Sequence, residues 1–256
     1  MLFDSHAHLD ATQFDHDRDL VIKRAKLNDI SFILNPGADY ESSVRAVELA
    51  QKHDFIYAAV GVHPHDAETM DMSVLEALEV LAKNSKVKAI GEIGLDYYRD
   101  LSPRDIQIKW FREQIKLARK LDMPIIIHDR DANDDVLRVL KEEQAFETGV
   151  LMHCYSGSRE LALQYVKLGA MISIAGPITY KNARKTVEVV EAVPLDHLLV
   201  ETDAPYLSPE PLRGKRNEPM HVKYTCQKMA TVKGISYEEM AQATLENALR
   251  FFRINV

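Results

Sequence analysis

"LFDSHAHLD", residues 2–10, places two histidines one residue apart at the end of a strand-like run. In an extended chain alternate side chains share a face, so Asp4, His6 and His8 line one side while Ser5 and Ala7 pack behind them. Two imidazoles held side by side are stabilised by a shared metal ion or by a mutual hydrogen bond. The rest of the chain bears on that choice, because the same kind of run recurs along it. "SFILNPG" (31–37), "IYAAVGVHP" (56–64), "VKAIGEIGLD" (87–96), "MPIIIHDRD" (123–131), "GVLMHCYSG" (149–157), "MISIAGPI" (171–178) and "HLLVETDAP" (197–205) are all apolar, β-rich and bounded by turn residues. Between successive runs lies room for one helix. In 103–122, "PRDIQIKWFREQIKLARKLD", Ile106, Trp110, Ile115, Leu117 and Leu121 fall at roughly helical spacing, with Pro103 suited to the first turn.

Eight strands alternating with helices build a parallel sheet. No glycine-rich dinucleotide loop follows the first strand, so closure into a (β/α)8 TIM barrel is favoured over a doubly wound sheet. The 256 residues suit one such barrel, and without linker or low-complexity segment the expectation is a single domain spanning 1–256. A long loop, 205–218, then leads into two closing helices.

Composition narrows the function. With 39 acidic against 32 basic residues the formal net charge is −7, so no global positive field draws the chain to duplex DNA or an anionic membrane. The N-terminus reads as no signal peptide, no run is long enough to span a bilayer, and two cysteines form no CxxC pattern. The expectation is a cytoplasmic protein with no membrane contact and no obligate protein partner.

Barrel strands are buried on both faces, so polar residues near their C-terminal ends need a reason. His6 and His8 end the first run, His63 and His65 the third, Glu92 and Asp96 the fourth, His128 the fifth, His153 the sixth, and Glu201 and Asp203 the eighth. In a barrel these converge on one mouth. Imidazoles with carboxylates suit one or two divalent ions, zinc, manganese, nickel or iron. The expected partition gives His6, His8, Glu92 and Asp203 to one ion and Glu92, His128 and His153 to the other, with Asp4, His65 and Glu201 supporting the ligands.

"DSHAHLD", "GVHPHD", "AIGEIGLDYYRD", "PIIIHDRDA", "HCYSG" and "ETDAPYLSPEPLRGKRNEP", in this order over nearly the whole chain, resemble the TatD family of metal-dependent deoxyribonucleases within the amidohydrolase-like superfamily. The resemblance implies a (β/α)8 barrel that hydrolyses DNA phosphodiester bonds, often as a 3′ to 5′ exonuclease on single strands. It implies the same ligands, His6, His8, Glu92, His128, His153 and Asp203, and a nuclease activity often associated with magnesium. Related amidohydrolases bridge their metals with a carboxylated lysine on the fourth strand; here that place holds Glu92, which weakens a dihydroorotase-like reading.

In the expected mechanism the ions lower the pKa of a bound water and the resulting hydroxide attacks phosphorus. Asp203 takes and returns the proton, Glu92 serves the metals, and His63 contacts the phosphate or protonates the leaving oxygen, or else supports a ligand. Substrate contacts are expected from Arg130, Tyr97 and Tyr98, and from Arg213, Lys215, Arg216 and Asn217 in the long loop, although both tyrosines also read as packing and the loop also reads as solvated surface. DNA binding is expected to be weak, salt-sensitive and without sequence preference. The alternatives are hydrolysis of another ester or amide, such as a D-aminoacyl-tRNA ester, and a non-catalytic barrel.

Overall fold

The computed structural model describes residues 1–255. In chain order its strands and α-helices are β1 Leu2–Asp4, α1 Arg18–Leu27, β2 Ile30–Pro36, α2 Tyr40–Lys52, β3 Ile56–Val60, α3 Met72–Ala82, β4 Val87–Asp96, α4 Arg104–Lys120, β5 Ile125–Arg130, α5 Asn133–Glu142, β6 Val150–Met152, α6 Arg159–Lys167, β7 Met171–Ile174, α7 Arg184–Ala192, β8 Leu198–Val200, α8 Val222–Lys233 and α9 Tyr237–Phe251. The strands follow one another in the sheet in sequence order, β1 to β8, each succeeded by a helix. That is the topology expected from the alternating runs. Two compact units are distinguishable, residues 1–35 with 154–255, and residues 36–153. Among the described residues no helix is long and apolar enough to cross a membrane.

Within the first unit, β1 pairs in parallel with β2, setting Phe3 beside Phe32 and Asp4 beside Ile33. Strands β7 and β8 pair from Ile172–Leu198 to Ile174–Val200. Helix α9 closes this unit: Asn247 Nδ2 donates to the carbonyls of Leu195 (2.8 Å) and Leu198 (2.9 Å) beside β8, and Phe252 stacks on Phe3 at 5.7 Å. Ser236 caps α9 by accepting from Glu239 N, satisfying one of the amides that every helix start leaves open.

In the second unit, β3, β4, β5 and β6 form consecutive parallel pairs. Helix α2 starts on a capping box, Asp39 accepting from Ser42 N while the Ser42 hydroxyl accepts from Asp39 N. Trp110, Ile115 and Leu117 of α4 are buried, as their spacing predicts. The same helix buries two glutamines seven residues apart. Gln114 accepts from Val62 N (2.7 Å) and donates to Val62 O (3.1 Å), just past β3. Gln107 accepts from Asp96 N (2.9 Å) and donates to Asp96 O (3.3 Å), at the end of β4. Each carboxamide replaces the strand partner that the backbone lacks there, avoiding the roughly 1–3 kcal/mol cost of an unsatisfied buried group.

The ladder is shorter than the sequence runs suggest. β1 stops at Asp4 and β8 at Val200, so His6, His8, Glu201 and Asp203 lie on irregular segments just beyond strand ends. An isolated parallel bridge between Ala7 and Ala204 keeps those two segments side by side.

Gly94 sits in β4 opposite His128 with φ +147°, and a Cβ there would lie 1.9 Å from the His128 carbonyl oxygen. Gly94→Ala is therefore expected to cost more than about 3 kcal/mol in denaturant unfolding. Gly169→Ala, at φ +90° with open space around the new methyl, should cost only the backbone strain of about 1–2 kcal/mol.

Candidate metal and catalytic site

The first group of ligating side chains belongs to the first unit. Asp4, fully buried, accepts from Thr202 N (2.9 Å) and Thr202 Oγ (2.6 Å), pinning the segment that follows β8. Asp203 N then donates to His6 O (2.9 Å), and His8 N to Ala204 O (2.8 Å). This lacing brings His6 Nε2 within 3.2 Å of His8 Nε2, with Asp203 Oδ1 3.6 Å from His8 Nε2 and 4.0 Å from His6 Nε2. Asp203 holds its place at φ +55°, a left-handed conformation that aspartate tolerates better than most residues. Nearby, Ser173 Oγ donates to the buried Glu201 Oε2 (2.6 Å). Burial raises the Asp4 carboxyl well above the usual carboxylate range, against the lowering effect of its hydrogen bonds from Thr202.

The second group belongs to the second unit. Glu92, almost wholly buried, has Oε1 at 2.8 Å from His128 Nδ1, 3.1 Å from His153 Nε2 and 3.5 Å from His63 Nε2. Its backbone amide donates to Gly37 O (3.0 Å), and His153 N donates to Ile127 O (3.1 Å), so backbone ladder-type bonds set both residues. The other nitrogen of His128 meets Asp96 Oδ2 at 3.0 Å, and His65 Nε2 meets that same oxygen at 2.8 Å. Asp96 Oδ1 accepts from the amides of Tyr98 (3.0 Å) and Arg99 (2.7 Å). Burial pushes the Asp96 carboxyl up, but its bonds to His128, Arg99 N and His65 outweigh this and hold it well below the usual range. Burial likewise pulls His128 down, while Asp96 and Glu92 more than restore it and raise its pKa.

Both donor sets fit a divalent cation. Oxygen and nitrogen ligands about 2.0–2.2 Å from an ion sit roughly 3–3.5 Å from one another, close to the spacings within each group. Two neutral imidazoles whose nitrogens face each other at 3.2 Å, as in His6 and His8, need a cation or a proton between them. In the second group, Asp96 accepting from His128 Nε2 leaves Nδ1 as the nitrogen that faces Glu92, where a divalent ion would replace the proton the two share, the carboxylate–histidine–metal arrangement. His63 is different. Its Nδ1 accepts from His65 N (3.1 Å), so the neutral ring carries its proton on Nε2 and is a donor rather than a ligand.

The structure sorts the expected substrate contacts. Asn217 is fully buried: Nδ2 donates to the carbonyls of Thr202 (2.9 Å) and Tyr206 (2.7 Å), and Oδ1 accepts from Glu218 N (2.9 Å). It pins the long loop and presents no group to a ligand. Arg216 is likewise engaged, with both terminal nitrogens 2.7 Å from Asp17 and its guanidinium 4.7 Å over the Phe14 ring. Arg213 and Lys215 remain exposed, Arg213 lying 4.4 Å over Tyr180. Tyr97 donates its hydroxyl to Asp135 (2.7 Å) under the Arg104 guanidinium at 4.3 Å, whereas Tyr98 is open to solvent with Arg130 at 4.3 Å over its ring. Asp96 was visible in sequence as a strand-end carboxylate, but nothing local marked it as the hub of two histidines. Gln107 and Gln114 carried only one signal, polar residues on the buried stripe of an amphipathic helix.

The TatD related DNase family model matches residues 3–253. Over 255 residues, all of both chains, the sequence is 51% identical to the Bacillus subtilis uncharacterized metal-dependent hydrolase YabD. It is 36% identical to the 3′-5′ ssDNA/RNA exonuclease TatD of Pectobacterium atrosepticum, covering 99% of this chain and 100% of that one. The crystal structure of YJJV, a TatD homolog from Escherichia coli K12, superposes with a TM-score of 0.93 at 34% identity over 99% of this chain and 98% of that one. The eight-stranded order is thus that of a TIM barrel, as the sequence runs suggest.

Replacing Asp96 by alanine or asparagine is expected to weaken metal binding at the Glu92, His128 and His153 group by about 10–100-fold, because His128 loses its orienting acceptor. Calorimetric titration of chelator-treated protein with Zn²⁺ or Mn²⁺ measures it, and unchanged affinity would show that Asp96 serves only the loop.

Proposed function

The chain belongs to the TatD family of metal-dependent hydrolases, and from that premise we propose that it is a divalent-metal-dependent nuclease, acting in the cytoplasm on DNA phosphodiester bonds, as a 3′ to 5′ exonuclease on single strands. The observation that carries the reading is the pair of His/carboxylate groups, His6, His8 and Asp203 together with Glu92, His128 and His153, each spaced to hold an ion. In support, one relative is named an ssDNA/RNA exonuclease. Zinc, manganese and nickel suit these imidazole and carboxylate donors, and magnesium, which prefers oxygen ligands, is tested beside them.

Divalent ions at these groups would supply Lewis acidity, polarising a phosphoryl oxygen and making a water nucleophilic near neutral pH. The remaining work falls to the protein. Asp203, 15% exposed and the only carboxylate of the first group, is placed to accept the proton of the attacking water and later return it. His63, with its Nε2–H directed to the Glu92 side, donates to a phosphate oxygen or to the leaving oxygen. Asp4 fixes the backbone that carries Asp203, and Asp96 fixes the rings of His65 and His128. Exposed Arg130, Arg213 and Lys215 give local positive charge to a chain that is acidic overall, so binding is expected to be weak and sequence-independent.

The test digests single-stranded DNA, labelled at either end, with chelator-treated protein resupplied with Mg²⁺, Mn²⁺ or Zn²⁺. Shortening from the 3′ end that requires metal and is lost in Glu92→Ala is the expected result. Asp203→Asn should lower kcat about 10²–10⁴-fold, and normal turnover by a metal-loaded variant would remove the base assignment. Metal uptake without cleavage of any strand would direct the search to other esters, aminoacyl-tRNA among them. Raising salt from 50 to 200 mM should raise KM for DNA several-fold.

A further inference from the structure

We propose that Tyr98, with Arg130 against one face of its ring, is the seat on which one unpaired nucleobase of the substrate stacks while Arg130 receives an adjoining phosphate. The proposal rests on the nucleolytic reading and deepens it, by naming what selects single strands.

Adjacent residues on the β4–α4 loop have opposite fates. Tyr97 is consumed by the fold, its hydroxyl bound to Asp135 and its ring covered by Arg104, which is itself paired with Asp100. Tyr98 is 62% exposed, and Leu101, three residues on, is 59% exposed. Arg130 covers only part of Tyr98, at 4.3 Å from the ring centroid, and among the described residues no carboxylate pairs with its guanidinium within 4.0 Å. A large ring left in water beside a guanidinium with no carboxylate on it matches the two faces of a nucleotide: a flat apolar base and a negative phosphate.

The seat is also rigid and tied to the second ligand group. Asp96 Oδ1 accepts from the amides of Tyr98 and Arg99, while Asp96 Oδ2 holds His65 and His128. Tyr97 N donates to Arg130 O (2.9 Å), fastening the loop to β5. Farther along, Ser102 Oγ donates to His65 O (2.8 Å) and Gln107 Nε2 to Ser102 O (2.8 Å). One carboxylate therefore fixes the base seat and the imidazoles in a common frame. Bases inside a duplex are already stacked on their neighbours and cannot reach such a ring, so the seat favours unpaired ends.

The experiment compares wild type, Tyr98→Phe and Tyr98→Ala on single-stranded DNA in Mg²⁺ or Mn²⁺, using oligonucleotides with one abasic residue moved stepwise from the 3′ end. Tyr98→Ala should raise KM about tenfold or more, with kcat little changed, while Tyr98→Phe stays near wild type because it keeps the ring. At one abasic position wild type and Tyr98→Ala should converge, since the base that stacks is gone. A Tyr98→Ala KM equal to that of wild type, or a KM penalty that persists at every abasic position, would overturn the seat and leave the nuclease reading standing. A wild type that degrades no strand under any metal would overturn both.

Discussion

Parallel ladders that stop short leave backbone amides and carbonyls buried without a strand beside them, and the way this chain satisfies those groups is what places its chemistry. Past β3 the partner is Gln114; at the end of β4 it is Gln107; past β8 it is Asp4. Each substitute is a side chain with both donor and acceptor capacity, or a carboxylate with two oxygens, so it fixes position as well as satisfying a bond. His63, Asp96 and Asp203 all lie within two residues of one of these contacts. The catalytic candidates are thus held by the same bonds that end the strands.

Electrostatics then sorts the buried acids. Asp4 has two hydrogen bonds from Thr202, but burial outweighs them and its carboxyl is raised. Asp96 is just as buried, yet two imidazoles and two backbone amides converge on it and keep it charged. A charged Asp96 can only accept, which forces His128 to show its other nitrogen to Glu92. The two carboxylates that orient His128 also favour its protonated form, so an ion bound at Nδ1 would take the place of the proton shared with Glu92.

Surface charge follows a separate logic. Arg24 and Arg216 are locked against Asp17 and Glu218, where paired charges stabilise the long loop rather than attract a ligand. Reading "PEPLRGKRNEP" as a uniform basic patch overcounts its free charge, because neighbours in sequence face different environments. The same holds for Tyr97 and Tyr98, one residue apart and opposite in exposure.

By itself the sequence determined the βα alternation, the strand order and the residue types available to a metal, because hydrophobic periodicity and strand-end polarity are local properties that the chain carries in every context. His6, His8, Asp203, Glu92, His128 and His153 were all legible as strand-end outliers. Only the tertiary structure decided that Asp96 joins His65 to His128, that Gln107 and Gln114 finish strands, that Asn217 is buried and Arg216 paired with Asp17, and that Tyr98 is the more exposed of the two tyrosines. Hydrogen-bond partners ten to two hundred residues apart are chosen by which polar groups burial leaves unsatisfied, and that is settled only once the chain has packed.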